Sequence, residues 1–257
     1  MNKIVQIPVK LIIIALLLSA NVAYAQQFNS DNYLTMPKGI STFCPTAGVR
    51  NSSLLMSFAL IDRFEFFLQG NLYRDYRDEQ ISQHFTTTVY AKYMFWKNEA
   101  NTGGGGVFLG FGQSPGYYNE TQFTEFHKNI WTAVPITIPF LNNMFSWDIM
   151  PGAMLDFDHG NNNEAAFGFT WTTRLAIYRI IPKTAIVGEL YGTEGEAYSK
   201  PEYKVGLRWE PNSFIIPAIT YGARLDGTNG AGFEIGVVIY TPQYLKKDYI
   251  KNNTIEY

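Results

Sequence analysis

The sequence predicts an all-β protein: a closed antiparallel up-and-down transmembrane β-barrel of about 12 strands, preceded by a signal peptide. Three observations lead there. The chain opens on an export signal. Short segments of alternating apolar and polar residues, bounded by Gly, Pro, Asn and Asp, then recur to its end. In the clearest of these the cations Arg174, Lys204, Arg208 and Arg224 all fall on the face opposite the apolar one. A basic side chain facing lipid at mid-bilayer costs roughly 2–4 kcal/mol, so a membrane barrel must sort its charges inward.

At the N-terminus, Lys3 and Lys10 precede the apolar run Leu11–Leu18, and Ala23-Tyr24-Ala25 supplies the small-residue cleavage pattern. The run is about half the ~20 residues that a spanning helix needs. Cleavage is expected between Ala25 and Gln26. The expected organisation is a signal peptide at 1–25, an outer-membrane barrel at 26–241 and a periplasmic tail at 242–257. The lone cysteine, Cys44, excludes an intramolecular disulfide framework and a multi-cysteine metal site. Losing Lys3 and Lys10 takes the 20 basic residues to 18 against 22 acidic, a formal charge of −4, which argues against nucleic acid as a partner. Aromatic residues make up 16 % of the chain while the mean hydropathy is only −0.10, as expected where apolar positions alternate with polar ones.

Strands are expected at 36–48, 52–60, 63–74, 84–96, 104–113, 125–138, 145–157, 164–178, 184–194, 202–210, 214–225 and 232–241. Alternate connections form two sets. Tight ones fall at Ile61-Asp62, 98–102, 141–143, Pro182-Lys183 and 211–213. Longer polar ones fall at 75–83, 114–124, 158–163, 195–201 and 226–231, with Arg50-Asn51 as the exception. Short periplasmic turns, long external loops and both termini in the periplasm would produce that contrast.

Segment 165–178 shows the facing clearly. Phe167, Phe169, Trp171, Leu175 and Ile177 alternate with Gly168, Thr170, Thr172, Arg174 and Ala176. A soluble sandwich would turn the same apolar face to a second sheet, so the decision rests on the whole chain. Tyr203, Val205, Leu207 and Trp209 against Lys204, Gly206 and Arg208 repeat the pattern, as do Phe233, Ile235 and Val237 against Glu234 and Gly236. Strand 184–194 is ambiguous, because Glu189 shares a face with Val187 and Tyr191. The expected inward bases are Lys92, Arg174, Lys204, Arg208 and Arg224. The expected inward acids are Glu65, Asp148, Asp156, Glu189, Glu210 and Glu234. Together they form a near-balanced set placed to pair across a narrow lumen. Aromatic girdles are expected from Trp96, Trp147, Trp209 and Tyr240 toward the tight turns, and from Tyr73, Tyr76, Tyr117 and Tyr118 toward the long loops.

The start Asn32-Tyr33-Leu34-Thr35-Met36-Pro37-Lys38-Gly39 and the hairpin Ile61-Asp62-Arg63-Phe64-Glu65 resemble the MetA-pathway phenol-degradation family of outer-membrane barrels. That resemblance implies a transporter-like barrel and carries no catalytic or ligand residues. Gly232-Phe233-Glu234-Ile235-Gly236-Val237 is similar to the closing-strand signal read by the barrel-assembly machinery, although here a tail from Thr241 follows it.

Chemistry beyond this is sparse. His84, His127 and His159 fall at the expected external rim and lack a nucleophile at useful spacing, and no Gly-x-Ser-x-Gly elbow occurs. Asp156, Asp158 and His159 read as a polar loop mouth rather than a metal site. Gly103–Gly106 lacks the flanking elements of a nucleotide loop and reads as a flexible turn. No enzyme activity, cofactor or metal is expected. The expected function is that of a porin-like passive channel or transporter in the outer membrane of a Gram-negative bacterium, for small solutes including hydrophobic or aromatic ones. The partners expected are membrane lipid, the assembly machinery and the solute. The alternatives are a non-conducting scaffold or surface-binding barrel working through its external loops and, more distantly, a soluble exported β-protein.

Overall fold

The computed structural model describes Phe28 and residues 32–77, 80–115, 126–159, 164–227 and 230–245, with backbone alone for 75–77, 80–83, 114–115, 158–159 and 164. The signal peptide 1–25, the Ala25–Gln26 junction, Tyr117, Tyr118, most of loop 114–124 and the tail beyond Leu245 lie outside the described residues. So do the side chains of Tyr76, Asp158 and His159.

The strands are β1 (Ser41–Gly48), β2 (Asn51–Ile61), β3 (Phe64–Arg77), β4 (Gln80–Lys97), β5 (Gly104–Pro115), β6 (Phe126–Ala133), β7 (Ile136–Phe140), β8 (Phe145–His159), β9 (Glu164–Ile181), β10 (Thr184–Gly195), β11 (Ser199–Trp209), β12 (Ile215–Arg224) and β13 (Gly232–Tyr240). Nearly all pair antiparallel with their neighbours in sequence. The ring closes where β1 meets β13, with Thr42 opposite Tyr240 and Thr46 opposite Gly236. Segments β6 and β7 lie end to end between β5 and β8, so thirteen segments make twelve spans. Pro135, which has no N–H, sits in the break. The ladder bridges it through Val134 N–H to Pro151 O (2.8 Å) and Gly106 N–H to Pro135 O (3.0 Å).

The two faces of the sheet are inverted relative to a water-soluble protein. Ile235, Leu109 and Phe233 are 62 %, 61 % and 59 % exposed, while Lys92 and Lys204 are 2 % exposed. Apolar side chains look outward all round the ring, and nearly all the buried charge is inside it. That arrangement is stable only with hydrocarbon as the outer solvent. Glu189 resolves the ambiguous strand: it is buried inside with Val187, while Leu190 is exposed outside.

Several expectations are corrected. Strand β1 starts at Ser41, not at residue 36. The chain turns at Pro37–Ile40, where Ile40 N–H donates to Pro37 O (3.1 Å) and Gly39 takes a φ of 80°, and the residues before it run inside the ring. The ladder runs into four of the five expected long connections, at 75–77, 80–83, 114–115, 158–159, 195 and 199–201. Arg77 pairs with Gln80, His159 with Glu164, and only 196–198 separates β10 from β11. Hydrophobic alternation stops where lipid stops, whereas backbone pairing continues into water. Tyr73 is buried and faces inward, as does Tyr240, which lines the interior, so neither belongs to a girdle. Trp96, Trp147 and Trp209 are exposed outside. Gly104–Gly106 belong to β5 rather than to a flexible turn, and His127, expected at the external rim, is a buried residue of β6.

Leu109→Arg, at the middle of β5's outer face, is expected to lower unfolding stability in lipid vesicles by about 2–4 kcal/mol, with Leu109→Ala costing much less. Urea titration of vesicle-inserted protein measures this. Equal stability of the arginine variant and wild type would mean that this face does not meet hydrocarbon.

Candidate functional site

The interior is where the sequence-predicted residues converge. Glu65 (β3), Lys92 (β4), Asp148 and Asp156 (β8), Arg174 (β9), Glu189 (β10), Lys204 (β11), Arg224 (β12) and Glu234 (β13) are all buried inside the ring. Arg208, near the end of β11, and Glu210, just past it, are part-exposed at the end that carries the termini.

The charges pair along the wall rather than across the lumen. Arg174 contacts Asp148 at 2.7 Å, Lys204 contacts Glu234 at 2.7 Å, Arg208 contacts Glu210 at 2.8 Å, Arg224 contacts Glu202 at 3.4 Å and Lys92 contacts Glu65 at 3.8 Å. Register explains three of these contacts, whereas Lys204 of β11 reaches Glu234 of β13 past Gly222 of the intervening β12, and Arg208 and Glu210 are two residues apart in the chain. Glu65 lies directly opposite Lys92, Asp148 opposite Arg174, and Glu202 opposite Arg224. Such cross-strand neighbours have Cβ atoms about 5 Å apart, far closer than opposite walls of a barrel. Glu189 stands beside Arg174 on one side and Lys204 on the other. Asp156 lies opposite Asn129. Hydroxyls complete the network: Ser57 Oγ donates to Glu65, Thr137 Oγ1 to Asp148, Thr220 Oγ1 to Glu234, and Tyr191 OH to Glu202.

Three features lie outside the expected set. Glu202 is one, an inward acid in phase with Lys204 and Arg208, at the first residue of the expected strand 202–210 and buried beside Arg224. An aromatic wall on β3–β6 is the second. Phe67 and Tyr90 stack with centroids 4.5 Å apart and an interplanar angle of 6°, and Phe108 and Trp131 lie 5.7 and 5.2 Å from Tyr90. Lys92 Nζ sits 5.4 and 5.3 Å from the Phe67 and Phe108 centroids, within cation–π reach. Pairs such as Phe66-Phe67 hide such a wall, because one ring of each pair faces lipid and the other the lumen.

The third is the N-terminal segment, which enters the lumen from the end carrying the termini. Phe28 packs on Ala176, Ala185 and Val187, and Tyr33 is 3 % exposed. Tyr33 N–H donates to Thr137 Oγ1 (3.3 Å) and Met36 N–H to Glu65 Oε2 (3.0 Å). Any side chain at Gly104 would overlap the Tyr33 ring. The glycine run was the sequence signal for this insertion: it marks a wall another part of the chain approaches closely. Beside the segment, a cavity of about 660 Å³ opens between the turns, lined by Tyr33, Leu34, Asp148, Arg174, Tyr178 and Arg208 among others. Its size is that of a small-molecule site. Among the described residues no cluster of His, Cys, Asp and Glu could hold a metal ion. His84 rests on Phe126, centroids 4.6 Å apart.

The chain is similar to the solved KdgM porin at 15 % identity and a TM-score of 0.51, covering 78 % of this chain and 98 % of that one. The KdgM porin in complex with disordered oligogalacturonate gives 14 %, 0.50, 78 % and 98 %. An outer membrane channel from Pseudomonas putida F1 matches at 13 % identity and a TM-score of 0.49, covering 83 % and 98 %. No protein-family model and no curated protein matches the sequence. At these identities the two porin likenesses concern the fold: the chain is a porin-type outer-membrane β-barrel of twelve antiparallel spans.

Glu65→Gln leaves Lys92 buried without its carboxylate and is expected to cost about 3–5 kcal/mol. Adding Lys92→Met should recover most of that loss in chemical unfolding of the refolded barrel. Equal losses in the single and double variants would show that the pair's charge is not what the site requires.

Proposed function

We propose that the protein is a passive outer-membrane channel for small solutes, hydrophobic or aromatic ones included, with both termini in the periplasm. The observation that carries this is the two-sided interior: an aromatic wall on β3–β6 faces a charged and hydroxyl-rich wall on β8–β13, beside the open cavity of about 660 Å³. A solute with an aromatic body and a polar group finds complementary surfaces on the two walls. Glu65, Lys92, Asp148, Asp156, Arg174, Glu189, Lys204, Arg208, Glu210, Arg224 and Glu234 are the proposed lumen lining.

The same proposal includes export through a signal peptide cut after Ala25, assembly through the closing strand β13, and a periplasmic tail. It also includes kinship with the MetA-pathway phenol-degradation barrels. Two stretches carry that resemblance, Asn32–Gly39 and Ile61–Glu65, and they meet inside the ring where Met36 N–H donates to Glu65. One observation favours the second reading, a non-conducting scaffold: the N-terminal segment occupies part of the lumen.

Planar-bilayer recordings separate the two. The expected result is a small conductance for the mature protein, a several-fold rise on deleting residues 28–36, and a shift toward cation selectivity in Arg208→Gln/Arg224→Gln. If the deleted form inserts, shifts on heating in a gel and still conducts nothing, the channel reading fails and the scaffold stands.

A further inference from the structure

We propose that a cleft on the outer wall, at the end of the barrel that carries the termini, binds the phosphate of an anionic glycerophospholipid. The β4–β5 register slips there: Met94 pairs with Gly106 and Trp96 with Gly105, leaving Phe95 as the extra residue of a β-bulge. A bulge re-aims side chains. Here it turns two consecutive aromatics outward, Phe95 at 49 % and Trp96 at 53 % exposure, while Met94 stays inside at 6 %. The Phe95 ring lies over Gly105, where a Cβ would come within 2.9 Å of it, so the ring is held against the wall. The β2–β3 turn is fastened to the bulge, because Met94 N–H donates to Arg63 O (2.9 Å) and Arg63 takes a left-handed φ of 62°.

The result is a cleft of about 410 Å³ with aromatic sides and a cationic rim formed by Arg63 and Lys97, with Glu99 as its one acid. Among the described residues neither Arg63 nor Lys97 makes an ion pair. Among the described residues, other cations at this end are occupied or face elsewhere. Arg208 pairs with Glu210, Lys183 donates to Pro211 O, and Arg179 lines the interior cavity. Two free cations above exposed Phe and Trp, at the level where hydrocarbon gives way to water, match a lipid whose phosphate lies just outside its acyl chains. The guanidinium fork takes the phosphate oxygens, the ammonium adds a second charge, and an acyl chain lies along Phe95 and Trp96. A glycerol head group leaves the phosphate's negative charge uncompensated. An ethanolamine head group brings its own ammonium and competes with Lys97. The site belongs to the outer wall, so it holds under either the channel or the scaffold reading and rests only on the barrel being in a membrane.

Native mass spectrometry of the full-length refolded barrel in detergent at low ionic strength tests it, with phosphatidylglycerol, phosphatidylethanolamine and inorganic phosphate as separate probes. Wild type is expected to retain one phosphatidylglycerol about tenfold more strongly than phosphatidylethanolamine. Arg63→Gln/Lys97→Gln should reduce that to the phosphatidylethanolamine level, and Lys200→Gln, at the opposite end, should not. Heat-dependent gel migration checks that each variant is a folded barrel. Glu99→Gln, which leaves both cations in place, should raise retention. Equal retention of the two lipids by wild type, undiminished retention by the folded double variant, or no rise with Glu99→Gln overturns the proposal. Full displacement by millimolar inorganic phosphate also overturns it, since that describes a free-anion site rather than a lipid site.

Discussion

In hydrocarbon no backbone N–H or C=O can turn to water, so each must find its partner in the protein, at a cost of several kcal/mol for each one that does not. The β1–β13 ladder is the seam that meets this requirement. Because the seam joins the first strand to the last, it also brings both ends of the barrel together. Tyr244 N–H donates to Gly39 O (2.8 Å), Ser41 N–H to Thr241 Oγ1 (3.0 Å), and the Ser41 and Tyr244 hydroxyls meet at 2.9 Å. The same constraint governs the prolines. Pro135 is accommodated only because the span breaks into β6 and β7 and the amides of Val134 and Gly106 reach across the break.

Closure then decides where charge can go. A ring with lipid outside leaves one compartment for ionised groups, and the strand register places acid beside base within it. Pairing along the wall has a consequence that pairing across a lumen would lack. Three of the pairs join neighbouring strands, so the ladder holds Glu65 against Lys92, Asp148 against Arg174 and Glu202 against Arg224 whatever occupies the space in front of them. Lys92 has further support from the rings of Phe67 and Phe108, which lets an ammonium that is 2 % exposed remain inside.

The twelve spans and the facing of most charged residues were legible in the sequence, because both follow from a period of two imposed by a single apolar solvent. Residues whose environment is set by something other than that solvent were not legible. Met36 to Ile40 read as strand, since alternation cannot distinguish a chain lying in a lumen from one in its wall. Tyr73 and Tyr240 read as girdle residues because an aromatic near a strand end can face either way, and only the pairing register settles which. Glu202 is in phase with inward Lys204 and Arg208, but its partner Arg224 comes from a strand whose pairing the sequence does not state. The ends of β3, β4 and β8 ran past the predicted boundaries because polar sequence permits a ladder in water as readily as a loop.

The N-terminal segment is attached differently from everything around it. Its described hydrogen bonds to the wall end on the network's acids, from Met36 to Glu65 directly and from Tyr33 to Thr137, whose hydroxyl donates to Asp148. Burial adds to that hold, with Phe28, Tyr33 and Thr35 all buried, and large apolar side chains contribute about 1.5–3 kcal/mol each when fully buried. Were the segment to leave, Glu65 and Asp148 would keep Lys92 and Arg174, and Thr137 would keep Asp148, so no charge in the wall would be stranded. Its departure therefore costs the burial of those side chains and its hydrogen bonds to the wall, whereas opening the β1–β13 seam would strand a row of backbone groups in lipid. The barrel and its contents are thus separable in energy: the wall is fixed by the membrane, and the occupant by its own packing and hydrogen bonds.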